Sequence, residues 1–206
     1  PGFASPIAGP DLMQAMRSQA ERLGVQLVMD EVTSVRLAAG DQAAQGHTVE
    51  LSLGDAIQTR TVIIATGASA RYLGLPSEKK LIGHGVSGCA TCDGAFFRDQ
   101  PVAVVGGGDT ALEEALYLSR IASKVTVIHR RDAFRASKIM GDRVLANDKI
   151  DVCWDHVVEE VLDVEKGSVT GLRIQHVKTG KIQELSVNGL FIAIGHTPNT
   201  GAFKGQ

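Results

Sequence analysis

The glycine turn Gly106-Gly107-Gly108-Asp109-Thr110-Ala111 constrains this chain more than any other stretch, because of what flanks it. Before it runs Val102 to Val105, an apolar tetrapeptide of the kind that forms a strand buried on both faces of a parallel sheet. After it comes a helical pattern reaching Arg120, and then a second strand pattern from Lys124 to His129. G-x-G-x-x-A between a strand and a helix, with another strand at the βαβ interval, predicts a Rossmann-like nucleotide-binding unit. In such a unit Gly106 permits the tight turn, Gly108 lets the backbone approach a pyrophosphate, and Ala111 keeps the helix against the sheet. The helix N-terminus offers free N–H groups to the phosphates. The second strand should end on the residue that reads the ribose, where a carboxylate selects an unphosphorylated 2′-hydroxyl. This sequence has His129-Arg130-Arg131 there, with Arg135 one turn further on, so a 2′-phosphate meets positive charge. The bland alternative is a solvated basic loop.

Ahead of the turn lies Cys89-Ala90-Thr91-Cys92, a C-x-x-C. Its two usual meanings are half a zinc site and a redox pair. Zinc needs two more ligands. The remaining cysteine, Cys153, is embedded in an apolar strand pattern, and His84 alone does not complete a site, so no metal is expected and the redox meaning is favoured. Asp93 follows at once, an acid within reach of a sulfur and able to exchange protons with a departing group; its alternative is a turn or helix-start carboxylate.

Composition sets outer bounds. With 206 residues, 44% of them hydrophobic, the chain can bury a core and form one large or two small domains. A net charge of −2 gives no general attraction to nucleic acid or to a membrane surface. No apolar run reaches transmembrane length. Three cysteines with a single close pair fit a reducing, cytoplasmic compartment better than a secreted disulfide framework.

Read in order, the chain shows one plan twice. Pro1 to Pro10 is an irregular lead-in. Leu12, Met13, Met16, Ala20 and Leu23 recur at helical spacing as a core-facing stripe, with Gly24 as the stop. A strand is expected at Val25 to Met29, then a meander of Glu31 to Leu37, His47 to Leu53 and Ala56 to Thr61, turned by Ala39-Gly40-Asp41 and Gly54-Asp55. The apolar strand Val62 to Ala65 ends this copy at Thr66-Gly67. Ala70 to Gly88 reads as a linker. After the βαβ unit the order returns: a helix over Phe134 to Asn147, a strand over Ile150 to Trp154, and a meander of Val157 to Val164, Val169 to Val177 and Lys181 to Val187. The apolar strand Leu190 to Ile194 then ends at Gly195. Gly67 matches Gly195, which argues for two copies of one nucleotide-binding architecture. The first copy's own βαβ unit would lie ahead of Pro1.

The segments C-A-T-C-D-G, V-V-G-G-G-D-T-A-L-E-E-A and H-R-R-D-x-F-R-A-S-K resemble those of the low-molecular-weight thioredoxin reductases, and the similarity runs through the whole chain. The resemblance implies an α/β fold of two Rossmann-like nucleotide-binding domains, the first incomplete. It divides the chain into residues 1–70, part of an FAD-binding domain, 71–196, an NADPH-binding domain carrying the C-x-x-C, and 197–206, the start of a return to the FAD domain. Cys89 is then the thiol that attacks thioredoxin, Cys92 the one facing the flavin, and Asp93 the acid/base. Gly106, Gly107, Gly108, Asp109, Thr110 and Ala111 with His129, Arg130, Arg131, Arg135, Ile194 and Gly195 would serve NADPH, and Thr66 and Gly67 the FAD side. The intact enzyme would be a homodimer, and this chain its central portion with an incomplete FAD site. Alternatives are a peroxiredoxin-reducing flavoprotein relative and an NADP(H)-binding module without turnover.

If Cys89 and Cys92 form the working pair, alkylation of oxidised protein should find neither thiol free, and mild reductant should release both. Cys153 should label slowly. Metal analysis giving about one zinc per chain, with both cysteines protected by it, would overturn the redox meaning.

Overall fold

The valine-rich runs that read as doubly buried do form the centre of a parallel sheet. The computed structural model describes residues 5–38 and 46–205, and its contacts divide the chain into two units, Pro1–Thr66 with Thr200–Gln206, and Gly67–Asn199.

The larger unit contains β4 (Ala68–Ala70), α2 (Pro76–Leu81), β5 (Val86–Ser87), α3 (Ala90–Asp93), β6 (Pro101–Val105), α4 (Asp109–Leu118), β7 (Lys124–His129) and α5 (Lys138–Leu145). It continues with β8 (Ile150–Trp154), β9 (His156–Val161), β10 (Leu172–His176), β11 (Ile182–Leu185), β12 (Gly189–Ile192) and β13 (His196–Pro198). Five strands pair in parallel in the order β5-β12-β6-β7-β8. Alternation along β6 explains why both faces must be covered. Val102 and Val104 pack with Ala111, Leu112, Ala115 and Leu118 of α4, whereas Ala103 and Val105 pack with Val158, Val161, Leu172 and Ile174 of the antiparallel sheet β11-β10-β9. Helices on one side, a parallel sheet in the middle and an antiparallel sheet on the other make three layers. This is the expected α/β architecture.

The expected linker turns out to be part of this sheet. Pro76 begins α2, a position where its missing N–H costs no hydrogen bond, and β5 then joins the parallel sheet beside β12. Glu78 stabilises the entry: its buried carboxylate accepts the N–H groups of Leu73 at 2.8 Å, Gly74 at 2.8 Å and Leu75 at 3.3 Å. The helix expected from Phe134 starts only at Lys138, because Phe134 packs on Trp154 at 4.4 Å and the Arg135 and Ala136 amides bond to Gly107.

The smaller unit contains α1 (Gly9–Arg22), β1 (Val32–Arg36), β2 (His47–Leu51), β3 (Ile57–Thr59) and a short helical turn over Gly201–Phe203. The meander forms in the expected order β1-β2-β3, while the Ala39-Gly40-Asp41 turn lies outside the described residues, as do positions 1–4 of the lead-in. Three expectations need correction. Gly9 and Pro10 belong to the first turn of α1, where Pro is well tolerated. Met13 and Met16 are not core but 56% and 55% exposed, since no described element packs on that face of α1. Val25 to Met29 and Val62 to Ala65 are not strands: no described strand pairs with either, and without a ladder partner an apolar run has no reason to remain extended in register.

Replacing Glu78 by Ala would orphan three amides, so urea unfolding should show a loss of roughly 3 kcal/mol. Glu78→Gln, which keeps one carbonyl acceptor, should lose less; equal midpoints for all three proteins would show that the amides find other partners.

Candidate functional site

The cleft forms where β6 ends, and the chemistry of its floor is set by close approach. Gly106 has φ 153°, and a Cβ there would stand 2.5 Å from the Ala193 carbonyl oxygen and 2.6 Å from Ala111 Cβ. A Cβ on Gly107 would stand 2.3 Å from the His129 imidazole. At Gly108 nothing lies within 4 Å, so the backbone is bare toward the cleft. Gly108 is the N-cap of α4 and no side chain caps that end, leaving the first-turn N–H groups open to an anion. Ala111 is fully buried under the turn, consistent with a packing role rather than ligand contact.

The arginine loop is tied to the glycine turn. The N–H groups of Arg135 and Ala136 both donate to the Gly107 carbonyl, at 2.7 and 3.1 Å. Asp109 accepts from the N–H and hydroxyl of Ser137 at 2.9 and 2.8 Å, and these two bonds hold its carboxyl below the usual range. Asp109 therefore acts on the loop as well as lining the cleft. His129 is buried beneath the turn with Nε2 3.1 Å from the Ala133 carbonyl. Burial first, and then the fields of Arg131 and Arg130, push its pKa below the ordinary histidine value.

Arg130, Arg131 and Arg135 are exposed, and among the described residues none of them is in an ion pair. All three line a cavity of about 780 Å³ together with Gly106 to Thr110, His129, Ile194 and Gly195. A bare glycine backbone, an uncapped helix end and unpaired guanidiniums in one cleft fit a dinucleotide bearing a 2′-phosphate. The sequence reading missed Arg71, Leu73 and Leu75 and His156 to Val158, which line the same cavity. Arg71 is held by the Thr197 hydroxyl at 2.9 Å. These residues are remote from the glycine turn in sequence, and no local pattern marks them.

Cys89 and Cys92 form a disulfide in the segment that follows β5. Ser87 Oγ accepts the Cys89 N–H at 3.0 Å, and Cys89 is the N-cap of α3, its sulfur accepting the Cys92 N–H at 3.2 Å. Cys92 is the more exposed of the two, and Asp93, the last residue of α3, is half-buried. Neither cysteine nor Asp93 lines the glycine cleft, so the two expected parts of the site are not brought together within this unit. Cys153 is partly buried, and burial, followed by the field of Asp151, raises its pKa. Gly67 has φ 67° and accepts the Asn199 N–H at 3.0 Å, while Thr66 ends the smaller unit's first segment. Among the described residues no cluster of three or more His, Cys, Asp or Glu could hold a metal, and no helix is long and apolar enough to cross a membrane.

The chain is 51% identical to the thioredoxin reductase of Rickettsia conorii and 52% identical to that of Streptomyces coelicolor, covering all of this chain and 65% and 62% of those proteins. Among solved structures it is similar to thioredoxin reductase from Streptococcus pyogenes, with 43% identity, a TM-score of 0.75 and coverage of 98% of this chain and 65% of that one. The Lactococcus lactis thioredoxin reductase matches with 38% identity, a TM-score of 0.77 and coverage of 99% and 65%. The chain thus spans a little under two thirds of the length of these relatives. Residues 4–206 match the model of the pyridine nucleotide-disulphide oxidoreductases, and to that family this chain belongs.

Proposed function

We propose that this chain carries the NADPH site and the redox disulfide of a thioredoxin-disulfide reductase. The observation that carries the reading is one unit holding both a Cys89–Cys92 disulfide and a glycine cleft edged by arginines that have no ion pair among the described residues. When bound, NADPH supplies a hydride and FAD relays its two electrons to the disulfide. The α4 N-terminus and bare Gly108 backbone would hold the pyrophosphate, with Arg130, Arg131 and Arg135 on the 2′-phosphate. Ile194 and Gly195 close the same cleft, and Thr66 and Gly67 are the residues proposed to face the flavin.

Once reduced, the Cys89 thiolate attacks the thioredoxin disulfide and forms a mixed disulfide, releasing one thioredoxin sulfur as thiolate. The Cys92 thiolate then attacks Cys89 Sγ, which re-forms the Cys89–Cys92 disulfide and releases dithiol thioredoxin. Asp93, next to Cys92, gives and takes the protons of the departing sulfurs. The order of the two thiols follows the family resemblance; exposure alone, which favours Cys92 in the oxidised form, does not choose it. A homodimer acting on thioredoxin in the cytoplasm completes the reading.

Calorimetric titration should show Arg130→Ala with Arg131→Ala weakening NADPH by roughly a hundredfold to ten-thousandfold, given about 1.5–3 kcal/mol per charge-assisted contact, and NADH far less. Equal weakening of both would sink the 2′-phosphate assignment. In a second measurement, the full chain is reduced with dithiothreitol, desalted and mixed with oxidised thioredoxin. It should return one disulfide's worth of electrons per chain, with Cys92→Ser trapped as a mixed disulfide; no transfer would remove thioredoxin as the partner.

A further inference from the structure

Positive charge flanks the glycine turn on both sides of the cleft. β6 leads into the turn, and its neighbours in the sheet are β7 on one side and β12 on the other. Arg130, Arg131 and Arg135 follow β7. Arg71 belongs to the β12 side: its N–H donates at 3.0 Å to the carbonyl of Gly195, just past the end of β12, which extends the antiparallel pairing of β4 with β13. The Arg71 side chain is anchored but unpaired. Its Nε donates to the Thr197 hydroxyl at 2.9 Å, and among the described residues the guanidinium has no ion pair and no other hydrogen bond. Both Nη groups therefore keep their donors, in a residue that lines the same cavity as the glycine turn and Gly195. An arginine clamped at Nε has already lost part of its rotamer freedom, so a ligand that meets its Nη groups immobilises little more on binding. That ligand should be anionic. Among the described residues the cavity has one acidic side chain in its lining, Asp109, and Ser137 already occupies it through two hydrogen bonds.

We propose that Arg71 is a binding residue for the nicotinamide half of the dinucleotide, its Nη groups donating to the phosphate on that half while Thr197 holds the guanidinium in place. The inference rests on the proposed NADPH site and extends it across the glycine turn. The arginines after β7 take the 2′-phosphate of the adenosine half, the α4 N-terminus and Gly108 backbone stand in the middle, and Arg71 beside Gly195 takes the far phosphate. The two sides then recognise different halves of one ligand.

Calorimetric titration of the full chain with NADPH and with adenosine 2′,5′-bisphosphate separates them, because the bisphosphate carries the 2′-phosphate and has no nicotinamide half. Arg71→Gln should weaken NADPH by about tenfold or more and leave the bisphosphate within about twofold of wild type. Arg130→Ala with Arg131→Ala should weaken both ligands. Arg71→Lys, which keeps the charge and loses the fork, should recover part of the NADPH loss, and Thr197→Val, which removes the anchor of Nε, should cost a smaller factor than Arg71→Gln. Circular dichroism and the unfolding midpoint establish that each variant is folded, and Arg71→Ala is the second removal variant if Arg71→Gln is not. Unchanged NADPH binding in the removal variant would overturn the proposal; so would equal weakening of the bisphosphate, because Arg71 would then act on the whole cleft through the fold. If the wild-type chain binds neither ligand, the NADPH reading itself falls, and the role of Arg71 with it; if it binds both, a failure at Arg71 leaves that reading standing.

Discussion

Close backbone approach at the end of β6 is the constraint on which the larger unit depends. The chain must turn from a buried strand into α4 within a space already occupied by the Ala193 carbonyl, the Ala111 methyl and the His129 ring, all within 2.3–2.6 Å of where a Cβ would stand on Gly106 or Gly107. Only glycine permits this, and the result is a helix packed tightly on the sheet with its N-terminus bare. The same approach lets Gly107 present its carbonyl to Arg135 and Ala136, so that the glycine turn also anchors the loop carrying the arginines. Glycine turn and arginine loop are one hydrogen-bonded assembly.

α4 connects this assembly to the cysteine turn. Its buried face, Ala111, Leu112, Ala115 and Leu118, packs on the central strands, which fixes where its other side chains fall. Asp109 at one end holds Ser137, and another face packs against α3, the short helix that Cys89 caps. A helix held this firmly on one face can set geometry on the others. The disulfide, at the N-cap of a four-residue helix, has little structure of its own and takes its support from β5 through Ser87 and from α4, against which α3 packs.

The smaller unit shows the reverse condition. Its meander is well paired, yet α1 buries no residue, and Ile63 and Met29 are 93% and 84% exposed. Amphipathic pattern states which face of an element would be buried; it does not supply the surface that buries it. For α1 and for the two apolar runs no described element provides that surface, so the pattern led to strands and a core stripe that are not seen.

By itself the sequence determined the βαβ unit, the two meanders and the placement of the arginines at the end of β7. Each is encoded locally, by period-two alternation, by an apolar run between breakers, or by glycines at fixed spacing. It also determined that Cys89 and Cys92 would be near enough to pair, since three residues of separation leave little choice. Tertiary structure alone decided that residues 70–88 contribute a helix and an edge strand, because Pro76 and the glycines around it read equally as linker until β5 is seen to bond to β12. It alone brought Arg71 and His156 to the cleft. These are contacts between elements distant in the chain, created by the order of strands in a sheet, and no window of neighbouring residues contains that order.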